Sequence, residues 1–242
     1  LSQAGSGSIT VTGLTNGTDY TFTVTATNAI GTSTASAPAP GLTPTSTPIS
    51  LVSSDENGGI YIFLSHNLGA DTSLDPHTPV EGLNGDYYQW GRYAPAADAD
   101  IIIGTWGAQG GNSNDGQWKP GEKGPQDPCP AGYRVPSQAE WAAVETNNTA
   151  SRTGTFTSGA AQYGSALHYG PDANAKSLTL PAAGRRSSTN GALTKRGNYG
   201  HYWSSDHANG NDAYQLGFSS SNVTSANKYN RLRGYSVRCI AE

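Results

Sequence analysis

The sequence predicts an α+β chain with few helices and many short strands and loops. Three observations carry this prediction. Only 13% of the residues are charged, while 31 are Gly and 14 are Pro, a composition that interrupts helices and punctuates short strands. Tyr214, Leu216 and Phe218 stand at alternate positions, as do Tyr235, Val237 and Cys239, the spacing that lines one face of a strand. Val135–Trp141 is the clearest helix start in the chain: Ser137 can cap the amide three residues on and Glu140 can reach back, a capping box. The stretch from Tyr199 to Cys239 organises the rest. Trp203 and the alternating apolar residues form its framework, and the Asn, Ser, Asp, His and Tyr between them suit a surface that touches something.

The elements follow in order. In residues 1–40, Gly13–Tyr20 reads GLTNGTDY and Thr21–Asn28 reads TFTVTATN. This resembles the end of a fibronectin type III domain, its last three strands. The resemblance implies that Tyr20 is the corner tyrosine, packing back near Leu14. Tyr20, Phe22, Val24 and Ala26 alternate with Thr as in a half-buried strand. Ile9 and Val11 open an earlier strand, and Thr32–Ala37 form the last. Three strands cannot bury both faces of a sandwich, so this piece is read as a spacer. Residues 41–50, within PAPGLTPTSTPIS, form an extended Pro/Thr/Ser linker, and residues 51–242 a second domain.

In that domain Ile60–Leu64 is a strand and Gly85–Arg92 is extended. Residues 94–127 are a long loop in which Trp106 and Trp118 anchor to the core. The helix ends near Glu145–Asn147. Tyr163–His168 reads as a turn of helix or a loop, Leu178–Arg185 as a strand entering a tight turn, and 187–200 as a polar loop with Gly191 and Gly197 as turn points.

The net charge of −4 and pI near 5.7 favour neither a nucleic-acid nor an anionic-membrane partner. No run of about 18 apolar residues predicts membrane insertion of this segment. The chain starts at Leu1 and contains no Met, so it reads as a piece of a longer protein. Cys129 and Cys239 lack metal or CxxC spacing. A disulfide fits them better than two free buried thiols, and a disulfide points to an oxidising compartment.

From Ile60 on, the chain resembles the Fibrobacter succinogenes major paralogous domain family of bacterial surface proteins. The resemblance rests on His66–Gly69, Tyr87–Gly91, Cys129–Pro136, Glu140–Trp141, Leu180–Arg185, Tyr202–Ser205 and Gly234–Cys239, in the family's order. It implies a C-type-lectin-like fold in a secreted or lipid-anchored protein, with the two cysteines placed to pair. Residues 185–239 also resemble the variable proteins of diversity-generating retroelements. There a fixed C-type-lectin-like backbone carries exposed side chains that are rewritten at adenines, and AAC-type codons yield Asn, Ser, Asp, His and Tyr.

The binding face expected from these readings comprises Tyr199, His201, Asp206, His207, Asn209, Asn211, Asp212, Gln215, Ser219, Ser221, Asn222, Asn227, Tyr229 and Asn230. Tyr supplies contact area at low entropic cost, and Asn and Ser supply adaptable hydrogen bonds. Calcium, which takes clustered carboxylate and amide oxygens, could draw only on Asp206, Asn209, Asn211 and Asp212. The Glu-Pro-Asn and Trp-Asn-Asp signatures of sugar-binding C-type lectins are absent, so no cofactor is expected. The five tryptophans read as core rather than sugar platforms. Ser204, His207 and Asp212 could be imagined as a triad, but no nucleophile elbow supports it. Formylglycine-generating enzymes share the fold implied by the resemblance, but they need a reactive cysteine pair, and here both cysteines are committed to one bridge.

The expectation is therefore a non-catalytic recognition or adhesion module on a bacterial cell or virion surface. Its ligand would be a protein or glycan on a cell surface. The rival is a structural subunit of a pilus-like fibre.

Overall fold

The computed structural model describes residues 18–39, 41, 49–55, 57–103, 106 and 117–242. The chain divides into units Leu1–Thr47 and Pro48–Glu242.

In the first unit, β1 (Thr27–Asn28) pairs with β2 (Gly31–Thr32). The hairpin continues as a ladder: the amides of Ser33, Ser36 and Ala39 donate to the carbonyls of Ala26, Val24 and Phe22. The amides of Val24 and Ala26 are taken instead by the Ser36 and Ser33 hydroxyls at 3.1 and 3.0 Å. Side-chain oxygens thus replace carbonyls, and regular pairing stops at Thr32. The expected half-burial is corrected here: Phe22 is half-buried, but Val24 is 65% exposed and Ala26 is exposed. Leu14, Ile9 and Val11 lie outside the described residues, and with them the expected Tyr20 packing.

The second unit is mostly β, in small antiparallel sheets with one α-helix among the described residues. β3 (Ile49–Ser53) and β4 (Ile60–Leu64) form a hairpin, and β5 (Tyr88–Gln89) and β6 (Tyr133–Arg134) follow before the helix α1 (Gln138–Asn147). Next come β7 (Thr149–Thr153), β8 (Ala166–Gly170), β9 (Leu178–Pro181), β10 (Arg185–Arg186) and β11 (Leu193–Thr194). The chain ends with β12 (Gly200–Asn209), β13 (Asp212–Phe218), β14 (Val223–Asn230), β15 (Gly234–Tyr235) and β16 (Ile240–Ala241). The Tyr163–His168 segment is corrected: from Ala166 on it is strand β8, fully buried and paired to β7 and β9.

Helix α1 starts where its capping pattern predicts. Ser137 Oγ accepts the Glu140 amide at 3.2 Å and Glu140 Oε2 accepts the Ser137 amide at 2.7 Å. Arg134 fixes the same carboxylate through two guanidinium nitrogens. The helix ends because the Asn147 and Asn148 side-chain amides take the carbonyls of Ala143 and Val144, groups that would otherwise lack donors. Its buried face, Trp141 and Val144, packs into one core with Phe63, Leu167, Leu180, Tyr202 and Phe218. A second core holds Trp90, Trp118, Val135, Trp203, Tyr235 and the Cys129–Cys239 disulfide.

The C-terminal meander β12-β13-β14 runs between these two cores. Tyr202 enters the first and its neighbour Trp203 the second, as strand alternation requires. The polar runs of the sequence are thus strands and their turns, not loops between strands. The pairing of β12 with β13 slips between Trp203 and His207. There the indoles of Trp141 and Trp90 donate to the carbonyls of Trp203 and Ser204, at 3.3 and 2.8 Å. Four tryptophans, Trp90, Trp118, Trp141 and Trp203, are buried to within 1%.

A buried arginine joins the N- and C-terminal ends of this unit. Arg238 Nε and Nη2 donate to Asn67 Oδ1 at 3.1 and 2.8 Å, Nη1 to the Ser65 carbonyl at 2.6 Å, and Nη2 to the Thr179 carbonyl at 2.9 Å. Burial pushes the guanidinium down to about 10, so it stays charged at neutral pH.

Candidate ligand cleft on the C-terminal sheet

The meander carries a cleft of about 420 Å³ where β12 begins and β13 turns into β14. That is within the range of small-ligand pockets, about 300–1,000 Å³. Six residues of the expected binding face line it: Tyr199, His201, Ser219, Asn222, Asn227 and Tyr229. Phe218, read from the sequence as framework, also lines it, and Gly217, Val223 and Thr224 complete the wall; these three were not anticipated, because nothing in their residue types marks them out. Gly217 has a steric role: a Cβ there would lie 2.6 Å from Gln215 Nε2 and 3.1 Å from Asn227 Nδ2. Its missing side chain lets both amides close over the sheet.

Under the cleft runs a column of rings. Tyr199 stacks on His201 at 5.9 Å and 9°, His201 on Tyr235 at 4.8 Å and 16°, and Tyr235 lies on Trp203 at 4.2 Å and 34°. The Trp203 indole is anchored to the Tyr88 carbonyl at 2.7 Å. Tyr229 lies nearly perpendicular to both His201 and Tyr235. The surface tyrosines are therefore held by the core, which lowers the ordering cost of binding.

The expectation that all fourteen residues form one exposed face is corrected at four points. His201 is 4% and Gln215 0% exposed, since both project from the sheet into packed rings and amides. His201 Nδ1 meets Gln215 Oε1 at 3.2 Å. Burial first, and the Arg185 charge next, push His201 down to about 3, so the ring is neutral. Asp206 is committed to the helix, accepting the Gln138 amide at 2.6 Å, where a carboxylate also complements the positive N-terminal end of the helix dipole. Asn230 Oδ1 accepts the Leu232 amide at 2.9 Å, closing a turn. Finally His207, Asn209, Asn211 and Asp212 gather at the β12–β13 turn. At about 3.3 Å per residue that turn stands some five residues, or ~17 Å, along β13 from Gly217, although Tyr229, at the near end of the cleft, pairs with Ala213 beside it. Ser221 is exposed on the β13–β14 turn.

Among the described residues no group of three or more His, Cys, Asp or Glu converges as a metal site. Ser204 is fully buried and its hydroxyl donates to the Tyr214 carbonyl at 3.0 Å. No helix of the described residues is long and apolar enough to cross a membrane.

The family model of the Fibrobacter succinogenes major domain matches residues 40–241. No curated protein and no solved structure matches the chain. The match spans nearly the whole second unit, and the chain belongs to this family.

Proposed function

We propose, from that membership, that the second unit is a non-catalytic recognition module of C-type-lectin-like fold on a bacterial or virion surface. The observation that carries this reading is the cleft. Six side chains chosen for their binding chemistry converge on one hollow, over rings anchored in the core. Several small sheets, one α-helix among the described residues and a disulfide at Cys239, beside the last strand, are compatible with such a fold. The resemblance to retroelement variable proteins adds a finer reading: a fixed backbone beneath exchangeable residues such as Ser221, Asn222 and Asn227. Sequencing residues 185–239 across a natural population tests that finer reading. Changes confined to adenine positions, with Trp203, Leu216, Phe218 and Cys239 constant, support it, and an invariant stretch sinks it.

The recognition reading is tested with an array of glycans and surface proteins, probed with the native chain and with Asn222→Ala/Asn227→Ala. Loss of a bound partner at unchanged melting temperature is expected. Retention of every partner by the double variant would refute the cleft. A structural, fibre-forming role has one observation behind it. β3 is an outer strand of its sheet, and Ile49, Leu51, Ile60 and Ile62 are 38–59% exposed across β3 and β4, an apolar surface suited to association. Concentration-dependent polymers would favour that role.

A further inference from the structure

The charge of the chain is divided unevenly. Residues 1–172 hold five Lys and Arg against fifteen Asp and Glu, whereas residues 173–242 hold nine against three, Asp206, Asp212 and Glu242. The fold gathers part of this excess around the cleft. Lys195 Nζ lies 5.3 Å from the Tyr199 ring centroid, and the guanidinium carbons of Arg185 and Arg233 lie 5.9 and 5.4 Å from that of Tyr229. Both tyrosines line the cleft. Among the described residues none of these three cations forms an ion pair. No carboxylate lines the cleft. The nearby acids are engaged elsewhere: Asp206 holds the Gln138 amide and Glu145 the Ser225 amide. An acidic protein thus keeps a rim of uncompensated positive charge at this cleft, which concentrates anions there.

The aromatic faces are occupied by these cations and by His201, so the rings serve as supports that fix the cations rather than as stacking platforms. The remaining polar lining groups are side-chain amides and hydroxyls, Asn222, Asn227, Ser219 and Thr224, beside the apolar Phe218 and Val223. In the cleft wall His201 Nε2 is buried with no partner, and Gln215 Nε2 beneath Gly217 likewise. With His201 Nδ1 directed at Gln215 Oε1, the free Nε2 of this neutral ring carries the lone pair. The cleft therefore joins cations at its rim to neutral donors and acceptors in its wall. A ligand bearing both an anionic group and several hydroxyls complements it.

We infer that the cleft recognises an acidic saccharide, one carrying a carboxylate or sulfate beside free hydroxyls. The inference rests on the recognition reading above and specifies its ligand class. Calorimetric titration of the native, bridged chain tests it. The probes are carboxylated and sulfated oligosaccharides, their neutral counterparts and oligoglutamate. An acidic oligosaccharide should bind, more weakly as salt is raised, and its neutral counterpart should bind about tenfold less tightly or worse. Arg185→Gln/Arg233→Gln, and separately the exposed Lys195→Gln, should each weaken binding by about tenfold at unchanged melting temperature. Lys119→Gln, whose ammonium is paired to Glu122 away from the cleft, should not.

Equal affinity for neutral and acidic saccharides, binding of oligoglutamate alone, or binding of no probe would overturn the assignment. A neutral ligand lost in Asn222→Ala/Asn227→Ala but indifferent to the cation variants would overturn the acidic specificity and leave the cleft as the site. An acidic ligand indifferent to both sets would overturn both.

Discussion

Replacing Arg238 by Met tests the clasp that ties the start of the second unit to its end. The side chain is fully buried, no carboxylate bonds to it, and its donors are shared among the buried Asn67 Oδ1 and carbonyls of Ser65 and Thr179, with a longer bond to the part-buried Leu64 carbonyl at 3.3 Å. Met keeps much of the volume and removes every donor. Three buried acceptors are then orphaned, at about 1–3 kcal/mol each. Part of that loss is returned because an unpaired cation no longer has to be desolvated, a penalty of several kcal/mol. The net expectation is a loss of about 4 kcal/mol, a large share of the 5–15 kcal/mol typical of a domain. Arg238→Lys retains the charge but not the planar fork and should lose about half as much. Urea unfolding followed by tryptophan fluorescence measures the loss, and all five tryptophans lie in the second unit. With a slope near 2 kcal/mol/M, the Met midpoint should fall by about 2 M at unchanged slope. A midpoint within about 0.3 M of the native value would refute the clasp, because it would mean the carbonyls find other donors at no cost.

Two further predictions concern the same unit. Cys129→Ser/Cys239→Ser opens a link between residues 110 apart and should cost about 2–5 kcal/mol; an unchanged urea midpoint would contradict it. The second is a pH dependence. Burial lowers His201 to about 3 and His168 to about 4, and shifts His66 and His77 the same way. Each depressed histidine leaves the unfolded chain holding more protons below the ordinary value of 6.5. Stability is therefore fully present above pH ~6.5 and declines as pH falls, by up to about 2.7 kcal/mol per unit for His168 and His201 together. Asp206 and Asp86, raised by burial, oppose this only near the carboxylate range. The urea midpoint should thus drop between pH 7 and pH 5, and a flat profile there would mean these rings are not held neutral.

The residues expected to bind were chosen from the sequence by type, and type was informative where it coincided with position. Tyr199, Ser219, Asn222, Asn227 and Tyr229 reach the cleft because they sit at the β12 start or along the β13–β14 hairpin. Asp206 was legible as a carboxylate but not as a helix anchor. Its partner, the Gln138 amide, is 68 positions away, and no local pattern links them. His201 and Gln215 look like surface residues in sequence, and only the ring column and the space left at Gly217 explain their burial. Arg185, Arg233 and Lys195 look like ordinary surface charge until the fold brings them to two tyrosines.

What the sequence by itself determined is what depends on near neighbours or on composition. It contains the α1 cap at Ser137 and Glu140, the alternation of β13, the tryptophan-rich core and the family motifs from His66 to Cys239. The tertiary structure alone decided which polar residues are spent inside and which remain for a ligand. It also set Ser219 and Asn222 at the opposite end of β13 from the β12–β13 turn. Both depend on pairing register and on contacts between residues tens of positions apart, where one slip in β12 at Trp203–His207 changes which side of the sheet a side chain meets.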